Sequence, residues 1–505
     1  MKHNVLGVSA GFHDAGLTVI DRGEILFAGH SERFSKQKHD HHLCPEIIEK
    51  ALSYGPVGQV AFYETPWLKK TREIYAGQGI EGGDRSSTWT TKGALKKEFG
   101  NLLPDAPIRT YRHHATHAAA GFQTSPFEEA TIVVIDAIGE WETITIWSAH
   151  YEGAFMAGKH AVYKKLWSQR YPHSIGLYYS AMTARLGLRP LDEEYIMMGM
   201  AGWGVPTGLG QDLIETEFVQ DLATLKFKQN LHAGIDKNFM INMNEYDIAA
   251  SAQLSVEKMI DEVMSRARGL NVSRNLVYMG GVALNCLYNR KLGNFFDDIW
   301  IMPNPGDCGS SLGAAALAYG GKINWHHPYL GTMIEGNYPV QDLLDELQKN
   351  KIVGVASGRA EFGPRALGNR SLMADPRGND IKDQVNDIKR RQKFRPFAPV
   401  ILEEHVHEYF AMPEKTPTSP YMQVVAKCLK PDEFPAIIHV DGTSRVQTVG
   451  KDSHSGVRDL LEQWYVLTGC PILLNTSLNI RGEPMVDTRE DADRFEKEYG
   501  VKVCS

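Results

Sequence analysis

The stretch ATIVVIDAIG, residues 130–139, decides the fold, because a run of strand-forming residues ends abruptly in an acidic turn that contains glycine. Residues 143–148 then alternate between apolar and polar side chains, which predicts a second strand paired with the first. The same order occurs at NVLGVSAGFHDAG, residues 4–16, which is followed by apolar runs at 17–20 and 24–28. Strand, acidic turn and strand therefore occur twice, which indicates an internal repeat of a hairpin-rich α/β unit.

The composition is that of an ordinary globular chain. Its 505 residues are 43% hydrophobic and 23% charged, and 54 Lys and Arg against 61 Asp and Glu give a net charge of −7. This net negative charge argues against binding of nucleic acid through the electrostatic field of the whole chain. A local basic groove is still compatible with this charge balance. No apolar run reaches about 18 residues, no signal peptide is evident, and the six scattered cysteines lack a C-x-x-C pair. We therefore expect a cytoplasmic protein with free thiols and no membrane contact.

The length predicts two or three domains at about 150 residues each. Residues 175–186 and 247–269 have apolar residues at helical spacing, and residues 275–279 have the pattern of a buried strand. Periodicity is lost around 321–340, so we expect domains at 1–340 and 341–505. Further strands are predicted near 352–356, 397–402, 421–427, 446–449 and 471–474.

The segment HHATHAAA, residues 113–120, is the sharpest local signal for a metal site. On a helix, His113 and His117 share one face and can direct two imidazoles at one cation, whereas His114 points elsewhere and is a candidate to orient a ligand or touch substrate. The alternative is a polar helix start with satisfied histidines. Asp136, at the end of a strand, and Asp307, in the turn NPGDCG, are candidate oxygen ligands, although each also suits helix capping or a turn. Two histidines with carboxylates and open positions favour a divalent first-row metal such as iron or manganese.

Two glycine-rich segments predict close approach of a ligand to the backbone. GGVALN, residues 280–285, follows a buried strand, and MGMAGWG, residues 198–204, is predicted to be a loop. Tight packing is the alternative for both. In the second domain, GRAEFGPRALGNR (358–370), KRRQKFRP (389–396), HVDGTSRVQ (439–447) and NTSLN (475–479) place arginines and small polar groups on turns and strand ends. This clustering favours an anionic ligand over a solvated basic face.

A series of motifs in this sequence resembles, in the same order, the O-carbamoyltransferases that act on nodulation factors and antibiotics. The motifs are GFHDA (11–15), SERFS (31–35), KHD (38–40), the His113/His117 pair, Asp136 with GEW (139–141), GGVALN, NPGDCG, FGPRALGNRS (362–371), RPFAP (395–399) and NTSLN. The resemblance implies an α/β fold with a duplicated actin-like (ASKHA) N-terminal domain, similar to tRNA threonylcarbamoyl transferases, and a YrdC-like C-terminal domain.

The resemblance also implies a two-stage reaction. Carbamoyl phosphate and ATP, with Mg²⁺, would give carbamoyl-adenylate in the second domain, and the first would transfer the carbamoyl group to a hydroxyl at a metal, with iron expected. The metal ligands carried over are His113, His117, Asp136 and Asp307. Residues expected to hold the adenylate are Gly199, Gly280, Gly281 and Asn285, and those expected in the second pocket are Arg359, Arg365, Arg395, Arg445, Ser477 and Asn479. The candidate catalytic residues are His13, which we expect to act as a general base, Asp14 and His114.

The expected acceptor is the hydroxyl of a small molecule, such as a sugar or antibiotic, or of a hydroxymethylated pyrimidine, free or in DNA, and a homodimer is compatible with the family. Because carbamoyl-adenylate hydrolyses in water, we expect it to travel through an enclosed channel between domains. Two features depart from the family: Ile196 replaces a lysine, and the chain stops soon after NTSLN. The alternatives are a threonylcarbamoyl transferase that modifies tRNA and a non-catalytic nucleotide-binding protein of the actin-like superfamily.

Overall fold

The structure is a computed structural model that describes residues 3–78, 87–153 and 159–505. The chain separates into two compact units. The first comprises residues 1–31, 39–285 and 294–325, and the second comprises residues 32–38, 286–293 and 326–505. Within the described ranges, no helix is long and apolar enough to cross a membrane, and all six cysteines are free thiols.

The first unit contains two five-stranded sheets with the same topology. In the first sheet, Asn4–Ser9 pairs antiparallel with its hairpin partner on one side and parallel with a later strand on the other. In the second, Glu129–Ile135 has the same two kinds of neighbour. In spatial order the strands are Glu24–His30, Gly16–Asp21, Asn4–Ser9, Val57–Phe62 and Ile108–Thr110, then His160–Arg170, Glu142–Glu152, Glu129–Ile135, Asn275–Met279 and Asp298–Trp300. The predicted repeat and the duplicated actin-like fold are therefore confirmed.

Helices flank both sheets of the first unit, and two of them, His113–Thr124 and Ser310–Tyr319, pack against each other. Small residues allow this close approach: a side chain at Gly313 would collide with the Thr116 carbonyl group. The helices are Pro45–Leu52, Pro66–Tyr75, Thr91–Phe99, His113–Thr124, Ile175–Arg185, Glu194–Met200, Gly208–Phe218, Glu245–Gly269 and Ser310–Tyr319. A short ribbon joins Val219–Asp221 to Lys226–Phe227.

The second unit is an α/β domain built on a mixed eight-stranded sheet. In spatial order its strands are Phe410–Ala411, Val424–Cys428, Thr443–Val449, Ala398–Leu402, Ile472–Ser477, Arg370–Ala374, Ile352–Ala356 and Val503–Cys504. A separate pair joins Tyr329–Ile334 to Gly358–Glu361. The helices are Glu32–Ser35, Cys286–Asn289, Val340–Asn350, Ile381–Ile388, Val406–Tyr409, Val457–Thr468 and Arg489–Tyr499. Apolar clusters cover both faces of the sheet, one of them centred on the fully buried Trp464.

The predicted loop around Gly199 is wrong, because residues 194–200 form a helix that continues as a 3-10 turn through Trp203. Ile196, Met197 and Met200 are buried on one side of this helix, and this burial outweighs the local preference of glycine for turns. Apart from its chain neighbours and the backbone of its own helix, no atom of the described residues lies within 4 Å of where a side chain at Gly199 would begin, so tight packing does not explain this glycine.

Candidate metal centre and anion pocket

Four side chains from three separate parts of the first unit converge on one point. His113 and His117 lie on the first turns of a helix, Asp136 follows the strand Glu129–Ile135, and Asp307 begins the 3-10 turn before Ser310–Tyr319. One ligand atom from each residue lies within 4.8 Å of the others. The two imidazoles are fully buried and the two carboxylates are nearly so.

The separations fit a cation at the centre of this cluster. The two Nε2 atoms lie 3.1 Å apart, His113 Nε2 lies 3.1 Å from Asp136 Oδ2 and 3.4 Å from Asp307 Oδ1, and His117 Nε2 lies 3.4 Å from both oxygens. Ligands bonded at about 2.1 Å stand about 3.0 to 3.4 Å apart in octahedral or tetrahedral geometry. Nitrogen and oxygen donors at these separations suit a divalent first-row metal.

Neighbouring groups fix the orientation of these ligands. The backbone N–H of Gly281 donates to Asp136 Oδ1 at 3.2 Å, which leaves Oδ2 facing the histidines. Glu140 accepts from the N–H of His113 at 3.2 Å and from that of Thr65 at 2.8 Å. Such outer contacts hold ligands in place before a metal binds.

The electrostatics of the cluster favour positive charge. Burial alone would lower the pKa of His113, but Asp307 and Asp136 together raise it well above its usual value. Burial alone would raise the pKa of Asp136, but its hydrogen bonds to His113 and His117 hold it well below its usual value. The ionised Asp136 and the side chain of Asp307 therefore face two imidazoles inside a buried site.

His114 does not belong to this cluster. It is fully buried, its Nδ1 lies 2.9 Å from Thr145 Oγ1, and its Nε2 has no hydrogen-bond partner in the structure. Burial, followed by the charge of His113, holds the pKa of His114 well below its usual value. The ring is therefore neutral.

His13 and Asp14 form a second cluster, together with His39, a residue that sequence reasoning missed. Asp14 accepts from His13 Nδ1 through Oδ2 and from His39 Nδ1 through Oδ1, both at 2.8 Å. His39 Nε2 lies 2.8 Å from Asp192 Oδ1, and His13 Nε2 lies 2.9 Å from the carbonyl oxygen of Leu191. His39 stands in the motif KHD, which was the only sequence signal that pointed to it.

The residues predicted to hold the adenylate differ in their surroundings. Gly280 adopts φ 92°, and a side chain there would collide with the carbonyl oxygen of Ile135, so glycine is required where the strand ends. Asn285 is buried and exchanges two amide hydrogen bonds of 3.1 Å with Gln253. Gly281 supports Asp136, as described above, while Gly199 lies within a helix.

The second unit holds a cationic site that sequence reasoning located only in part. Lys389 Nζ, which is buried, donates to the carbonyl oxygens of Ser477 and Asn479, at 2.5 and 2.8 Å, and to Asn479 Oδ1 at 3.0 Å. Burial, reinforced by Arg391 and Arg395, holds the pKa of Lys389 well below its usual value. The sequence pattern placed Lys389 within the basic run 389–396 and gave it no separate role.

The remaining arginines of the predicted pocket lie on different elements of the second unit. Arg359 donates to the carbonyl oxygens of Leu330 and Gly331, whereas Arg365 is half-buried in the turn after Gly363. Arg445 lies beside Cys286, and burial lowers its pKa, an effect that the Cys286 thiol opposes. Arg395, which is half-buried, is close enough to Lys389 to affect its pKa.

The duplicated sheets place this chain in the actin-like class of α/β proteins. Residues 4–316 match the family model described as "Carbamoyltransferase N-terminus", and residues 344–504 match "Carbamoyltransferase C-terminus". The chain therefore belongs to the carbamoyltransferase family, and it is a carbamoyltransferase enzyme.

Two of its relatives match over most of their length. An uncharacterized protein of Synechocystis is 33% identical over 98% of this chain and 94% of its own. Nodulation protein NolNO of Sinorhizobium fredii is 30% identical over 95% of this chain and 76% of its own. Among solved structures, HypF of T. kodakarensis is 14% identical, covers 63% of this chain and 48% of its own, and has a TM-score of 0.31.

Proposed function

We propose that this carbamoyltransferase makes carbamoyl-adenylate from carbamoyl phosphate and ATP in its second unit and transfers the carbamoyl group to an acceptor hydroxyl in its first unit. The observation that carries the proposal is the convergence of His113, His117, Asp136 and Asp307, which a nucleotide-binding protein without transfer activity does not need. We propose iron as the metal, held by these four residues. When bound, a divalent metal supplies Lewis acidity to the reacting oxygen atoms.

In the second unit, the carbamoyl group is activated. Carbamoyl phosphate is hydrolysed to carbamate and phosphate, a carbamate oxygen then bonds to the α-phosphorus of ATP, and pyrophosphate leaves with Mg²⁺. Arg391 and Arg395, which lie close enough to Lys389 to lower its pKa, supply the positive charge that these anions require. Lys389 Nζ donates to Ser477 and Asn479, so the segment that carries both residues is held in place before substrate arrives.

In the first unit, the carbamoyl group is transferred. The acceptor oxygen bonds to the carbamoyl carbon, the bond to the adenylate oxygen breaks, AMP leaves, and the proton of the hydroxyl passes to solvent water. Carbamate is a poor electrophile, so the reaction depends on the leaving group and on stabilisation of charge on oxygen. Asp136 and Asp307 would hold the cation of the site together with the two histidines. Gly281 and Glu140 keep the ligands oriented.

The test is a coupled assay with carbamoyl phosphate, ATP and Mg²⁺ against a panel of acceptors. The panel contains a sugar, an aminoglycoside, a hydroxymethylated pyrimidine nucleoside and DNA that carries the same base. We expect AMP, pyrophosphate and one acceptor whose mass increases by one carbamoyl group. Carbamoylation without AMP formation would refute the adenylate route, and ATP consumption without any carbamoylated acceptor would refute transfer to this panel.

A further inference from the structure

The cluster around His13 carries an inference about how that residue is held. His13 lies in the turn that follows Ser9, whose hydroxyl donates to the backbone carbonyl of Asp307 at 2.9 Å, so the turn begins beside the metal site. A carbonyl oxygen accepts hydrogen bonds and cannot donate them, so His13 Nε2 donates to Leu191. His13 Nδ1 faces a carboxylate oxygen of Asp14 and donates as well. With both ring nitrogens donating, His13 has no free lone pair and is a cation.

The same reasoning applies to His39. Its two ring nitrogens face carboxylate oxygens of Asp14 and Asp192, each at 2.8 Å, and a doubly protonated ring satisfies both contacts. Arg189 donates to the other oxygen of Asp192 at 2.7 Å. An alternating row of charges therefore runs from Arg189 through Asp192, His39 and Asp14 to His13.

The backbone of this row is unusual as well. Asp14, His39 and Leu191 adopt φ values of 48°, 55° and 63°, in the left-handed region that residues with a side chain adopt at a cost. Three such residues, each hydrogen-bonded within this cluster, indicate that the surrounding structure enforces this arrangement. Leu191, whose carbonyl group is the partner of His13 Nε2, is 38% exposed.

We propose that His39 and Asp192 are positioning residues that act through Asp14 to hold His13 as a doubly protonated hydrogen-bond donor at the transfer site. In this arrangement His13 Nε2 exchanges the Leu191 carbonyl group for an oxygen atom of the substrate and donates to the charge that develops there, and it does not remove the proton of the acceptor hydroxyl. This role rests on the proposed carbamoyl transfer. Without it, His39 and Asp192 would be structural contacts only.

The charges that surround His13 support its cationic state. Burial alone would lower its pKa, but the hydrogen bond and charge of Asp14, together with the charge of Asp307, raise the pKa to about 10. His39 also stacks on His13 with ring centroids 5.0 Å apart, and Lys69 lies over the neighbouring Phe12 ring. The charged groups that face this cluster from its own turn and from adjacent segments are Asp14, His39, Asp192, Arg189, Asp307 and Lys69.

The protonation of His13 is tested by modification with diethyl pyrocarbonate, which acylates a neutral imidazole but not an imidazolium, followed by peptide mass spectrometry. The variants are His39→Gln and Asp192→Asn, and the control is His42→Gln, which removes a 3.0 Å contact with Glu98 outside the cluster. At pH 7 we expect wild-type His13 to react at least about tenfold more slowly than the exposed His41, because each unit of raised pKa lowers the neutral fraction about tenfold. Either variant should accelerate modification of His13 by about tenfold or more, and the control should not.

The proposal is overturned if wild-type His13 reacts as fast as His41, or if neither variant accelerates its modification. The same variants then separate positioning from binding in the coupled assay. We expect kcat for transfer to fall about tenfold or more, acceptor KM to change less than about threefold, and ATP consumption without acceptor to stay unchanged. Wild-type kcat in both variants would contradict the positioning role. If no acceptor is carbamoylated, the proposed function fails, but the modification experiment still decides how His13 is held.

Discussion

Substitution of Glu361 tests how the second unit holds its arginine-rich turn. This carboxylate is buried, and its Oε1 accepts from the backbone N–H groups of Leu367, Asn369 and Arg370 at 2.8, 2.9 and 3.2 Å. The three donors form a concave anion site of the kind that binds phosphate elsewhere, here filled by the protein itself. Arg365 lies between Glu361 and these donors in the sequence, so the three hydrogen bonds shape the turn that carries Arg365.

The expected cost follows from these three contacts. A hydrogen bond to a charged acceptor contributes about 1 kcal/mol more than one to a neutral acceptor, so Glu361→Gln should cost about 3 kcal/mol. Glu361→Ala leaves three buried donors without a partner and should cost at least as much. In a domain of 150 to 250 residues, about 3 kcal/mol lowers the melting temperature by about 6 to 12 °C.

Differential scanning calorimetry of the full chain measures this effect. The control is Glu408→Gln, because Glu408 is exposed and pairs with His405 on the surface. We expect the thermal transition of the second unit to move to lower temperature in Glu361→Gln. In the control we expect no transition to move, because an exposed ion pair contributes little. Unchanged transitions in both Glu361 variants would refute the reasoning that this carboxylate organises the turn.

Three further predictions concern the two sites and the pH dependence of stability. His117→Ala should remove bound metal and lower transfer about a hundredfold or more while ATP is still consumed, and retained metal, measured by elemental analysis, would contradict this. Lys389→Met should lower ATP consumption about a hundredfold without loss of metal, and normal consumption would rule out its role. Burial, followed by the charges of His454 and Arg359, lowers the pKa of His327 to about 4, so its contribution to stability should be lost as the pH falls from 6.5 to 4. His327→Gln should flatten that slope in urea titrations, and an unchanged slope would contradict the assignment.

Much of the fold was predictable because it depends on local patterns. The strands Asn4–Ser9 and Glu129–Ile135 are continuous apolar runs, and the acidic turns after them signalled the repeat that the two sheets confirm. The helix Glu245–Gly269 also follows its apolar spacing. Gly199 was misplaced because burial of the neighbouring Ile196 and Met197 outweighs the turn preference of glycine.

The sites were predictable only where a motif marked them. His113 and His117 stand four residues apart on one helix, so their shared face follows from the sequence alone. By contrast, His39 meets Asp192 across 153 residues, and Lys389 meets Ser477 across 88. Neither pair shares a local pattern, so only the tertiary structure brings these residues together.

The most direct test of the central claim is a crystal structure of the protein purified without chelator, with anomalous data collected at the iron and manganese absorption edges. We expect one anomalous peak bonded to Nε2 of both His113 and His117 and to one oxygen each of Asp136 and Asp307. A map that shows a metal elsewhere, with these two nitrogens bonded only to protein atoms, would contradict the claim.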